Sequence, residues 1–222
     1  MIMESNGGQR SVLAVYAHPD DAEIWAGGTL LAHRAAGDHT AVCIMTHGDT
    51  LRAPEAQRGA ESLGARLHHL SFADRALRAD AREIEAVAEV LRQERPQIIL
   101  THWQDDSHPD HLATWAAVRA AILLAEVEGT LQALLWSDTY NGQGTGGTFE
   151  PDCLVDVSSH WGGKLAALSA HQSQRPEQYA AMTGRTCALH GARAGVHWAE
   201  GFRRVPFIGV ARRASANLWS AI

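Results

Sequence analysis

The sequence predicts an α/β fold in three layers, a mostly parallel sheet between two sets of helices. Short apolar runs of strand length alternate with longer stretches of helical period, and glycines and prolines punctuate the boundaries between them. Residues 11–17 read as a strand and 22–36 as a helix closed by Gly37, which makes one β-α unit. The pattern repeats with a strand at 40–46, a helix at 54–63 stopped by Gly64, a strand at 67–70 and a helix at 80–95. A strand at 97–101 follows, then a polar loop and a helix at 109–126 that starts on Pro109, where a missing N–H costs nothing. Residues 131–136 supply a fifth strand. Each crossover between parallel strands must return the chain over the sheet, so both faces are covered and the first two thirds of the chain is Rossmann-like.

Beyond Ser137 the pattern weakens. A glycine-rich loop runs to Glu150, a strand is expected at 153–157, helices at 160–170 and 176–187, and a final strand at 205–210. No repeat or low-complexity linker interrupts the chain, so residues 1–222 are read as one domain, with the polar segment 1–10 as a frayed start.

Composition narrows the function. The chain has 222 residues, 45% of them apolar, enough for one generous core. A formal charge of −6 gives no basic excess for a nucleic-acid backbone, and no apolar run approaches the ~20 residues that span a bilayer. Neither nucleic acid nor a membrane is an expected partner. Cys43, Cys153 and Cys187 are odd in number and far apart, which suggests reduced core thiols and a cytoplasmic setting rather than disulfides or a thiolate zinc site. A homo-oligomer is compatible with all of this.

Two clusters carry the chemistry. His18-Pro19-Asp20-Asp21 falls where the first strand ends, and His108-Pro109-Asp110-His111 falls a short loop after the fourth. In each, two potential ligands stand three residues apart, on one face if a helix begins there. An isolated His-Pro-Asp is more often a turn or a cap. In a parallel sheet whose order reverses between strands one and four, however, both loops leave the carboxyl edge side by side, where ligands bind. Two histidines and a carboxylate make a three-ligand site that leaves zinc a fourth, catalytic position. His and carboxylate ligands also suit iron or manganese.

The sequence resembles the LmbE-like, PIG-L family of zinc-dependent N-deacetylases and amidases. The resemblance lies in AHPDD at 17–21 and HPDH at 108–111, and extends through Gly27-Gly28, Arg52-x-x-Glu55, Lys164, His171-Gln172-Ser173-Gln174 and Ala199-Glu200-Gly201-Phe202. It implies zinc on His18, Asp21 and His111, Asp20 as general base, His108 stabilising the oxyanion, and Asp110 orienting His108. Zinc lowers the pKa of bound water to about 7, and a carboxylate beside it accepts the proton and returns it to the departing amine. A protonated His108 steadied by Asp110 would face the developing negative charge, and the activity–pH profile would be bell-shaped. Arg52 matches a substrate-binding position, although a solvated loop arginine would look the same. His171 is expected to line the pocket, and Trp103 is a candidate contact for a sugar ring. The loop after the second strand departs from the family's Thr-x-Gly-Glu, reading Thr46-His47-Gly48-Asp49, with a shorter carboxylate arm and an added histidine. His33, His39, His68 and His69 have no partner at ligand spacing and read as structural or exposed.

The expected activity is removal of the N-acetyl group from a small N-acetylglucosamine-type substrate. One rival keeps the zinc chemistry but cleaves the amide of a thiol conjugate of a glucosaminyl compound. Another is a non-hydrolytic nucleotide-binding module, because Gly142-Gln143-Gly144-Thr145-Gly146-Gly147 matches the letters of a dinucleotide fingerprint. That match opens no helix, so the stretch is better read as a flexible loop able to cover substrate.

Overall fold

The computed structural model describes residues 9–206. Among these, one seven-stranded sheet has the order β3-β2-β1-β4-β5-β9-β8. Its first five strands are β1 (Ser11–Tyr16), β2 (His39–Thr46), β3 (Arg66–Phe72), β4 (Ile98–Thr101) and β5 (Ala133–Ser137), and they pair in parallel throughout. The order reverses between β1 and β4, so the loops that leave those strands at their carboxyl ends lie next to each other.

The crossovers are α1 (Asp21–Ala35), α2 (Ala53–Leu63), α3 (Ala81–Glu94) and α4 (Pro109–Leu124). Successive residues of a strand face opposite sides, and β1 shows the consequence. Leu13 and Val15 join Val87, Leu91, Val118 and Ile122 of α3 and α4 in one core. Val12, Ala14 and Tyr16 join Ile24, Leu30 and Leu63 of α1 and α2 in the other. Both faces are buried around the central strands, which is why β1, β4 and β5 read as nearly unbroken apolar runs. Local signals set the helix ends: Asp80 caps α3 in a reciprocal pair with Glu83, and Gly64 ends α2 at φ 65°.

After β5 the chain forms a tight hairpin, β6 (Gln143–Gly144) with β7 (Gly147–Thr148), then β8 (Cys153–Asp156), α5 (Trp161–Leu168), α6 (Pro176–Ala194) and β9 (Ala199–Arg204). The final strand thus lies earlier than the predicted 205–210. Val205 and Pro206 are outside it, and 207–210 lie outside the described residues. β9 runs antiparallel between β5 and β8. The hairpin replaces the flexible loop. Gly144 lies so close to Trp103 and Asp105 that a Cβ there would meet the Asp105 carbonyl oxygen at 2.1 Å, and the Thr145 N–H donates to that same oxygen. Arg10, expected in the frayed start, is held by Asp38, with its guanidinium 2.9 Å from the carboxylate.

A buried ion pair joins the last third to α1. Lys164 Nζ donates to Glu200 Oε1 (2.6 Å) and to the Ile24 carbonyl (2.7 Å). Glu200 also accepts the backbone N–H groups of Gly28 and Thr29 and the Thr29 hydroxyl. Gly28 must be glycine here, because a Cβ would sit 2.6 Å from Val157. Gly27-Gly28, Lys164 and Glu200 are therefore scaffold. The three free cysteines, Cys43, Cys153 and Cys187, are all buried.

Candidate metal centre

The turn after β1 separates two adjacent carboxylates. Asp20 has φ 95°, a left-handed backbone that Asp tolerates better than most residues, and α1 starts at the next residue. Asp21 consequently projects inward and Asp20 sideways. The turn is pinned from β2 and α2: the Thr46 hydroxyl donates to the Ala17 carbonyl at 2.8 Å, and the Arg52 guanidinium donates to the Pro19 carbonyl.

Asp21 is fully buried. Its Oδ2 accepts the His18 backbone N–H at 2.8 Å and lies 3.3 Å from His18 Nδ1, 3.3 Å from His102 Nε2 and 3.6 Å from His111 Nε2. Burial works against its charge, but His111, His102 and His18 outweigh burial and hold Asp21 well below the usual carboxylate range. His111 is also fully buried, and its Nδ1 lies 3.1 Å from Asp106 Oδ2. Asp106 is in turn fixed by the Thr139 hydroxyl and the His108 N–H. Despite burial, His111 and His102 bring its carboxyl down to about 2. Such a carboxylate behind a histidine fixes the ring with its other nitrogen presented forward.

These residues fit a divalent ion. Asp21 Oδ1 and His111 Nε2 are buried with no hydrogen-bond partner, an expensive arrangement unless a ligand completes it. The separations of 3.3 and 3.6 Å are close to the edge of a zinc tetrahedron, about 3.3 Å for bonds of 2.0–2.1 Å. The ligand atoms of Asp21, His102 and His111 also lie within 4.8 Å of one another. His102 was not foreseen: a lone histidine one residue past β4 carries no spacing signal, and only its place at the carboxyl edge could have marked it. Its ring stacks on His111 at 3.6 Å, and its Nε2 accepts the Ala17 N–H. Burial and His111 lower it to about 4.

His18 is nearly buried, and its Nε2 faces Asp74 Oδ1 (3.1 Å) and Asp110 Oδ2 (3.3 Å). Burial disfavours its charge, but Asp110 and Asp21 raise it to about 10, a measure of how strongly this corner attracts positive charge. The expected Asp110 to His108 pairing is not what the structure holds. The Asp110 carboxylate turns to His18 and to the backbone N–H groups of Arg75 and Leu77. As N-cap of α4, His108 instead accepts the Asp110 backbone N–H on Nδ1 at 3.2 Å. That leaves its proton on Nε2, and burial, His111 and His18 lower its pKa, so it is a neutral donor rather than an imidazolium. His108, Pro109 and Arg75 line an open cleft of about 360 Å³.

Asp20 is nearly buried beside the cluster. Burial and Asp21 raise it to about 7, with Arg52 and His171 pulling the other way, and Arg52 Nη2 is 3.1 Å from its Oδ2. His171 does not line a pocket wall: it is fully buried, 3.3 Å from Glu23 Oε1. Gly59 leaves the space for this pair, since a Cβ there would meet Glu23 at 2.3 Å. Trp103 is not a substrate contact either. Only 3% exposed, it packs edge to face on Phe149 at 5.3 Å, because its loop turns inward beneath the hairpin. Tyr140, also unforeseen, follows β5 and stacks beside His111 at 5.8 Å, with Tyr179 of α6 at 6.5 Å. Burial, followed by Asp21 and Asp20, pushes the Tyr140 hydroxyl upward and keeps it a proton donor.

Comparison with known proteins agrees with this geometry. A family model described as GlcNAc-PI de-N-acetylase (PIG-L) matches residues 13–122. The diacetylchitobiose deacetylase of Thermococcus kodakarensis is 31% identical over 225 residues, covering 90% of this chain and 84% of the relative. Among solved structures, a conserved protein of Thermus thermophilus is 27% identical with a TM-score of 0.79, covering 94% of this chain and all of its own. The 4-carboxy-2-hydroxymuconate hydratase of Pseudomonas putida is 24% identical with a TM-score of 0.82, covering 95% of this chain and all of its own, a likeness of fold.

Proposed function

The chain belongs to the PIG-L family of de-N-acetylases, and on that premise we propose that it is a zinc-dependent hydrolase removing the acetyl group from a small N-acetylglucosamine-type substrate. The observation that carries the reading is the divergence of the two neighbouring carboxylates. Asp21 is held ionised among three histidines, while Asp20, one residue away, is raised to about 7 by burial and by Asp21. Environments that drive two such groups apart divide labour between them, one as ligand and one as proton carrier.

His18, Asp21 and His111 would hold the ion, with His102 at the back of the cluster. When bound, the ion supplies Lewis-acid polarisation of water and of the acyl carbonyl. Asp20 takes the proton of the attacking water and delivers it to the amide nitrogen, which leaves only once protonated. Arg52 keeps the Asp20 carboxylate aimed by its contact at 3.1 Å. His108 donates a hydrogen bond from its Nε2–H to the developing oxyanion and keeps its proton. The amino-sugar assignment is supported by the relative that acts on diacetylchitobiose. The buried, unpaired thiols suit a reducing compartment, and we place the enzyme in the cytoplasm.

The test is acetate release from a panel of N-acetylated amino sugars, before chelation, after it, and after zinc is restored. Release that is lost and regained with zinc is expected. Full activity after verified metal removal would overturn the metal role. A fully loaded enzyme that releases no acetate across the panel would overturn the deacetylase reading.

A further inference from the structure

His18 presents two ring nitrogens to two different sets of donors. Nδ1 faces Asp21, within the cluster described above. Nε2 faces Asp74 Oδ1 at 3.1 Å and Asp110 Oδ2 at 3.3 Å, and these three atoms form a separate group within 4.8 Å of one another. His47 stands behind Asp74, its Nε2 3.5 Å from Asp74 Oδ2, buried and without a hydrogen-bond partner. Among the described residues, the remaining charged contact of Asp74 is Arg75 Nε at 4.0 Å. Asp110 is fixed by the Arg75 and Leu77 N–H groups. His47 lies in the loop after β2, and the proposed reaction gives it no task.

We infer that a second divalent cation of the zinc class binds across the His18 ring from the first, on His18 Nε2, Asp110 and Asp74 with His47 as a further donor, and that its binding inhibits the enzyme. The spacings of 3.1, 3.3 and 3.5 Å match the ~3.3 Å edge of a zinc tetrahedron. Two carboxylates balance the charge of the ion. Two cations on opposite nitrogens of one imidazole are separated by about 6 Å, well beyond the 3.5–4 Å at which paired ions share a reacting group. The second ion is therefore no partner in catalysis. It occupies the side of His18 that faces Arg75 and the cleft where His108 waits for substrate.

The balance of the binding step is simple. With the first ion on Nδ1, the Nε2 proton ordinarily held by Asp110 or Asp74 leaves to solvent as the second nitrogen–metal bond forms. The ring then bridges as an imidazolate. Two ions sharing one ring compete for its electrons, so the second site is the weaker.

The experiment is zinc titration of the full-length enzyme by equilibrium dialysis and calorimetry, with activity followed in parallel. The variants are Asp74→Asn and His47→Asn. Asparagine is chosen at position 47 because the backbone there has φ 66°, which asparagine accepts. Wild type should bind one zinc tightly and a second more weakly, with about one proton released, and lose activity as the second binds. Both variants should keep the first zinc and need at least tenfold more zinc for the second and for inhibition. The stoichiometry and proton release stand whether or not acetate release proves to be the reaction. A single zinc in wild type at every concentration, or a second zinc whose affinity neither substitution changes, overturns the site. Ions on surface histidines would behave in the latter way.

Discussion

Replacing Asp20 with Asn tests the division between the two carboxylates with little disturbance of the fold. Asparagine has the same shape and tolerates the left-handed φ of 95° at this position, whereas alanine would add backbone strain there. The amide cannot take a proton from water, and loss of a general base costs 10²–10⁴-fold, roughly 3–5 kcal/mol of barrier. Asp21, with its contacts to His18, His102 and His111, is untouched, so the variant should keep its metal. Asp21→Ala removes the carboxylate on which three histidines converge, so it should lose metal first and activity as a result, with partial recovery at high zinc. The pH profile adds a second readout. Asp20 works when ionised, so the wild-type rate rises as pH climbs through its pKa, about 7 from burial and Asp21 and lower once a cation lies alongside. Asp20→Asn should abolish that acid limb. Metal content and kcat, measured side by side across pH 5–9 at several zinc concentrations, decide the matter. If Asp20→Asn sheds its metal while Asp21→Ala keeps it, the roles are reversed. If Asp20→Asn keeps both the rate and the limb, the general-base assignment is wrong.

Two further outcomes concern stability. Glu200 satisfies four donors, Lys164 Nζ among them, whereas Lys164 meets two acceptors, Glu200 and the Ile24 carbonyl. Breaking a buried pair costs about 3–5 kcal/mol, and each orphaned buried N–H adds about 1–3. Glu200→Ala should therefore destabilise clearly more than Lys164→Met in urea unfolding, and equal losses would refute the accounting. Glu94, at the opposite edge of the sheet, is held below the usual glutamate range because hydrogen bonds from His68 and His39 outweigh its burial. A depressed carboxyl stabilises the fold above its unfolded pKa and loses that contribution as pH falls through the folded one. The urea midpoint of wild type should accordingly drop below about pH 4.5, and Glu94→Gln should flatten that drop.

The alternation of β and α units was legible because a parallel sheet buried on both faces demands apolar strands, and the ends of α1 to α4 were legible to within two residues, whereas α6 runs on to Ala194, past the expected end at 187. The antiparallel end was harder to read. β9 reads Ala199 to Arg204 with only Ala199 and Phe202 as buried apolar residues, and the remainder of its burial comes from the Glu200 ion pair and the close approach of Gly201 to His190. At the site, His18, Asp20, Asp21 and His111 announced themselves by spacing. His102, Asp106 and Tyr140 did not, since each is a single residue brought in by the topology. The misreadings at Trp103 and His171 share a cause: both types suit a pocket wall, and only tertiary packing shows that one lies under a hairpin and the other beneath Asp20. The Asp110 to His108 pairing failed because the capping geometry of α4 gave His108 a backbone partner and freed the carboxylate for His18.

Lys164 and Glu200 also constrain the order in which the molecule can be completed. Synthesis runs from the amino terminus, so the β-α units from β1 to α4 leave the ribosome first. The helix carrying Asp21 nonetheless draws its partners from residues that emerge much later. Until β9 arrives, the lysine has no carboxylate, and the N–H groups of Gly28 and Thr29 lack the acceptor that Glu200 provides. A nascent chain stopped before residue 200 would carry the His18, Asp21 and His111 side chains on a sheet whose first helix is unfinished. Among the described residues, strand β9 is thus the last piece to join the sheet, and the first helix is fully held only once that strand is in place.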